Sequence, residues 1–157
     1  MRTTPRHTPV REALAAHSTI TAFVQDGMGA VKDKDKKFID ASIRTQFADS
    51  LDTDEAFRVG HDQEHRWDYL LGHENRSLIA VEPHSAKTDE VKAVINKKSA
   101  LRQQLQGHLN DGHSISKWIW VASGKNGFPK DSQYLRRLSQ NGITFVGEGC
   151  VMAKHLS

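Results

Sequence analysis

This chain of 157 residues predicts an α/β fold, with helices packed around a mixed sheet of four to five strands. Three observations carry that expectation. Two apolar runs are joined by a short polar turn at residues 72–75, an amphipathic helix follows them, and two more apolar runs flank a last helix. A hairpin followed by two helical crossovers gives a mixed sheet with helices on its faces. The length suits one domain, residues 1–157 with the core at about 33–152, which would bury roughly 68–70% of the unfolded surface.

The elements read in order as follows. Met1 to His7 reads as a mobile end. Thr8-Pro9 reads as an N-cap with proline at the first helical position. Val10, Leu14, Ile20 and Val24 fall near one face, which predicts a helix of about four turns ending at Gly27 and Gly29. The run from Lys32 to Lys37 is most simply the solvated start of a second helix. Ile39, Ile43, Phe47 and Leu51, with Phe38 beside them, form its apolar stripe at a spacing of four. Arg66 to Leu71 reads as a strand with Trp67, Tyr69 and Leu71 on one side and Asp68 and Leu70 on the other. Ser77 to Glu82 is a second strand, apolar on both faces until Glu82, and the short link makes the pair antiparallel.

A helix opening at Thr88-Asp89-Glu90 carries Val91, Val94, Ile95, Leu101 and Leu105 and ends near Asp111-Gly112. Trp118 to Ala122 is a third strand, Asp131 to Gln140 a helix, and Ile143 to Val146 the last strand. No internal repeat or low-complexity segment is present.

Composition excludes little. There are 22 Lys and Arg against 19 Asp and Glu, and the pI is about 9.1, so contact with phosphate is permitted but not demanded. The charge reads as mixed along the chain. Cys150, the single cysteine, excludes an intramolecular disulfide and a cysteine zinc cluster. Residues 1–30 contain no apolar leader core and no stretch approaches the length of a membrane span, so the expectation is no membrane and a cytoplasmic location.

The chemistry concentrates at the hairpin. Asp68 lies on one strand and Glu82 near the end of its neighbour, and a carboxylate inside an apolar strand is costly unless something pairs with it. Two carboxylates brought together across adjacent strands make an oxygen site suited to Mg²⁺ or Mn²⁺, able to activate water and to neutralise charge on a phosphate. The plainer alternative is a pair of strand-end acids bridged to Arg66, Lys87 or Arg102. Lys98 is seven residues after Val91, about 20° away on a helical wheel, so it lies on the buried stripe and must snorkel out or meet an acid. His61, Glu64, His65 and Asp68 lie close in sequence, but their spacing as zinc ligands would need a helix where a strand is predicted. Ser123-Gly124-Lys125 lacks the rest of a phosphate-binding loop, and Trp67, Trp118 and Trp120 read as core.

The sequence of Asp68, a gap of 13 residues, Glu82-Pro83-His84, a helix and a further strand resembles the PD-(D/E)XK nuclease superfamily. That family places an acid on one strand and Glu-x-Lys on the next. The resemblance spans Phe38 to Val146, with the second helix in the role of the family's opening helix and Ala56 to Val59 as the candidate opening strand. It implies a restriction-endonuclease-like fold and Mg²⁺- or Mn²⁺-dependent hydrolysis of phosphodiester bonds, with Asp68 and Glu82 holding the metal. Nucleic acid would be the partner, DNA favoured over RNA, and a homodimer is allowed because many relatives work as dimers. His84 stands where the family has lysine, so His84 or Lys98 would manage the attacking water. Lys87, Lys97 and Arg102 would meet phosphate. The rival expectation keeps the fold and drops the chemistry, leaving a silent module that binds nucleic acid or a protein.

Overall fold

The computed structural model describes residues 8–129 and 132–157. The two segments outside it include the expected mobile end and Asp131, the expected start of the last helix. A single six-stranded mixed sheet forms the centre, with strands in sequence order from β1 to β6. They are β1 (Gln25–Asp26), β2 (Phe47–Asp52), β3 (Tyr69–His73), β4 (Leu78–Ala86), β5 (Ile115–Asn126) and β6 (Ile143–Glu148). The first four run antiparallel to their neighbours, and β4, β5 and β6 are parallel. Helices α1 (Pro9–Ala13), α2 (Thr53–Ala56), α3 (Val91–Gln104) and α4 (Gln133–Gln140) complete the fold. The α/β class and the hairpin with two crossovers are as expected, but the sheet has six strands rather than four or five.

Each sheet face has its own core. Leu51, Leu70, Leu78, Ala80 and Trp120 face one way and pack with Val10, Val94, Leu101 and Leu138 from the helices. Tyr69, Leu71, Ile79, Val81, Ile119 and Val121 face the other way and are covered by Val31, Phe38, Ile39, Ile43 and Val151. Burial on both faces explains why these strands read as continuous apolar runs.

The N-terminal third departs from expectation. Instead of one long helix, α1 stops at Ala13, a 3-10 turn covers Thr19–Phe23, and β1 follows. The expected second helix is two 3-10 turns, Asp33–Phe38 and Ala41–Gln46, leading into β2. Its spacing of four was a coincidence of two structures. Ile39, Ile43 and Phe47 cover one sheet face, while a bulge between Phe47 and Asp49 sends Leu51 to the other. The expected opening strand at residues 56–59 is instead the end of α2 and a loop in which Val59 is exposed.

Smaller shifts follow at β3 and α3. Strand β3 begins after Asp68, and Trp67 lies on the opposite face from Tyr69 and Leu71. Helix α3 ends at Gln104, because the chain turns at Gly107, where φ is +82°, and Leu109 then bridges to Leu14.

Buried Asp49 shows how β2 holds α1. Its two carboxylate oxygens accept the Val10 and Arg11 amides at 3.1 and 3.0 Å, the free donors at the start of α1. This requires Gly72 on β3, since a Cβ there would lie 2.0 Å from Asp49 Oδ1 and 2.9 Å from Pro9 Cβ. Gly72→Ala is therefore expected to destabilise the protein by about 3 kcal/mol in chemical denaturation, through overpacking and loss of the two amide bonds. A change below about 0.5 kcal/mol would contradict this packing.

Candidate active site

Tyr69 pairs with Val81 and Leu70 with Ala80, so one further step along the antiparallel ladder sets Asp68 opposite Glu82. The ladder stops there. The Asp68 amide donates to Glu82 Oε1 at 2.9 Å, so the carboxylate of one acid fixes the backbone of the other. Glu82 shares its face of β4 with Leu78 and Ala80, beneath α3, and it is 0% exposed.

A wholly buried carboxylate needs compensation, and Lys97 supplies it. Its Nζ lies 2.6 Å from Glu82 Oε2. Burial alone would lower the Lys97 amine, but the charge and hydrogen bond of Glu82 outweigh it and the amine is raised. His84 adds a second donor. Its Nδ1 is 3.4 Å from Glu82 Oε2 and its Nε2 is 3.0 Å from Glu90 Oε2. Two carboxylates on the two ring nitrogens favour the imidazolium, and the His84 pKa is raised, first through its hydrogen bond to Glu82. Both ring nitrogens of His84 are thus engaged by carboxylates. In turn its carbonyl accepts the Trp120 indole N–H at 3.0 Å.

Asp68 is different. Among the described residues its carboxylate accepts no hydrogen bond and joins no ion pair. Burial, and then the charge of Glu82, push it up to about 7 despite the opposing pull of Lys97. The cations available to a merely structural pair of acids lie elsewhere. Arg66 is bound to Asp54 at 2.9 Å, Lys87 is exposed, and Arg102 makes no hydrogen bond or ion pair among the described residues. The result is one fully compensated carboxylate beside one that lacks a counter-charge.

The assignment of Lys98 to this site is corrected. Lys98 donates to the Asn141 carbonyl beyond α4, and its Nζ lies 5.3 Å from the Trp118 ring centroid. The residue that reaches Glu82 is Lys97, expected only as a phosphate contact. Glu90 was missed altogether. The signal for both was their separation of seven, two helical turns, which puts an acid and a base on one flank facing Glu82.

The other candidates resolve simply. His61 Nδ1 pairs with Glu64 Oε2 at 2.6 Å, and among the described residues no group of three or more His, Cys, Asp or Glu is arranged to hold a metal. Trp67 and Trp118 meet edge to face at 5.1 Å, and Trp120 packs against Phe128 and Phe145, all as core. Among the described residues no helix is long and apolar enough to cross a membrane. Comparison with protein-family models, with curated proteins and with solved structures finds no match.

The two adjacent lysines should therefore behave oppositely. Lys97→Met leaves Glu82 buried without its partner and is expected to cost about 3–5 kcal/mol. Lys98→Met removes an exposed carbonyl bond and a ring contact and should cost about 1 kcal/mol or less. Urea unfolding of both variants checks the order, and a larger loss for Lys98→Met would refute it.

Proposed function

We propose that this chain hydrolyses phosphodiester bonds in nucleic acid with a divalent cation, Mg²⁺ or Mn²⁺, on a sheet of restriction-endonuclease-like design. The observation that carries the proposal is the Asp68 carboxylate, without an ion pair among the described residues, set opposite Glu82 one step beyond the antiparallel ladder. A second positive charge is what that position lacks. Mg²⁺ is commonly held by one or two carboxylates together with water and substrate phosphate, so a pair of acids is a sufficient protein contribution. Asp68 and Glu82 would hold it, and the ion would acidify a bound water and neutralise charge developing on phosphate.

The chain's own residues divide the remaining work. Lys97 takes the place of the lysine absent from the strand, since its ammonium meets Glu82 and has further donors for a phosphoryl oxygen. His84, held between Glu82 and Glu90, has its protonated form favoured beside the same carboxylate and helps to orient it. Trp120 anchors His84 from the core.

A second reading has support of its own. Both oxygens of Glu82 already accept internal donors, and both nitrogens of His84 are engaged. A silent module that binds nucleic acid or a protein would need nothing more.

Cleavage of single- and double-stranded DNA, and then of RNA, with Mg²⁺ or Mn²⁺ separates the two. Hydrolysis is expected to fall by about 100-fold or more in Asp68→Asn and Glu82→Gln. Asp68→Asn is the cleaner variant, since it removes no ion pair and should remain folded by thermal melting. Absence of cleavage with either metal, or an Asp68→Asn variant that cuts at the wild-type rate, would reject the hydrolase.

A further inference from the structure

Total charge conceals a division within the chain. Residues 1–90 carry 12 Lys and Arg against 16 Asp and Glu, whereas residues 91–157 carry 10 against 3. The expectation of mixed charge along the chain is thereby corrected. The fold keeps the cationic part together, because α3, α4, β5 and β6 adjoin one another. Helix α3 itself holds Lys92, Lys97, Lys98 and Arg102 and no acid.

Lys97 is spent on Glu82, but among the described residues Lys98 and Arg102 form no ion pair with an acid. They stand one turn apart, about 6 Å along the axis, and like charges at that spacing destabilise a helix. Burial and the charge of Arg102 lower the Lys98 amine. Two concavities of about 270 and 380 Å³ share these two residues. One runs past His113 and Ser114 at the approach to β5, the other reaches Asn141 and Gly142 after α4, and among the described residues no acid lines either. Lys98 lies about 100° around α3 from Lys97, so this cleft opens on a different flank from the Asp68–Glu82 pair.

We infer that the cleft between α3, the start of β5 and the end of α4 docks the phosphate backbone of nucleic acid, with Lys98 and Arg102 as its paired phosphate contacts. An anion between the two cations removes their repulsion, and the amide and hydroxyl groups along the walls supply neutral donors. The inference rests on the nucleic-acid reading above but not on the reaction, since a silent module would dock its ligand in the same cleft.

Fluorescence anisotropy with labelled DNA, single-stranded and duplex, tests it in the presence of EDTA so that nothing is cut. Wild type should bind with affinity that falls steeply with salt. The double variant Lys98→Ala/Arg102→Ala should weaken binding by about tenfold or more and reduce the logarithmic salt slope by about 2. Arg102→Glu, at an exposed side chain with no hydrogen bond or ion pair among the described residues, should weaken binding without lowering the melting temperature. Lys36→Ala/Lys37→Ala, which removes equal charge from the acidic part of the chain, should bind as wild type.

No binding by wild type at low salt overturns the inference. So does an unchanged slope in the double variant, or an equal loss in the Lys36/Lys37 control. Cleavage that persists with an unaffected Lys98/Arg102 variant removes the cleft and leaves the hydrolase. Cleft-dependent binding in a protein that cuts nothing supports the cleft and removes the reaction.

Discussion

Glu82 is a carboxylate with no access to water, on a strand whose preceding residues, Leu78 to Val81, are all buried and apolar. Transferring an ion into such a place costs several kcal/mol even after relaxation, so the surrounding structure has to answer it. The answer comes from three directions at once: the Asp68 amide from the end of β3, the Lys97 ammonium from α3, and the His84 ring from further along β4. Glu90 then holds His84 from the turn that starts α3. One buried charge thereby sets the register at the edge of a hairpin and fixes how a helix lies across it.

Asp68 inherits the consequence. Lys97 pairs with Glu82, and at the neighbouring acid desolvation and repulsion outweigh its pull. Its folded-state pKa of about 7 stands above the ordinary value of 3.8. A carboxyl raised in this way favours the folded state while it is protonated. That contribution is complete below about pH 4 and is lost as the pH rises toward about 7. A cation beside Asp68 would reverse the penalty, and this links the electrostatics of the fold to the proposed chemistry.

The acidic pair was legible because two local rules agree on it. A short link between apolar runs makes an antiparallel hairpin, and counting back from that turn puts Asp68 against Glu82 whatever the ends of the strands. Its cationic partner was harder to read, because neighbouring positions on a helix differ by about 100°. Lys98 does lie on the apolar stripe of α3, but that stripe passes over Trp118 toward α4, whereas Lys97 on its flank meets Glu82. The N-terminal third was misread for a different reason. Ile39, Ile43, Phe47 and Leu51 repeat every four residues, yet strand pairing with β3 and the bulge in β2 override the helical pattern. The basic half of the chain was present in the order of residues and vanished only in the total.

The most direct measurement is the titration of the Asp68 carboxyl carbon by NMR, with and without a few millimolar Mg²⁺. Asp68 should titrate near 7 in the free protein, and Mg²⁺ should lower that midpoint by about one unit or more, as a cation bound to the charged form must. A midpoint near the ordinary carboxylate value, or one that Mg²⁺ leaves in place, would contradict the claim that Asp68 is a carboxylate in want of a counter-charge.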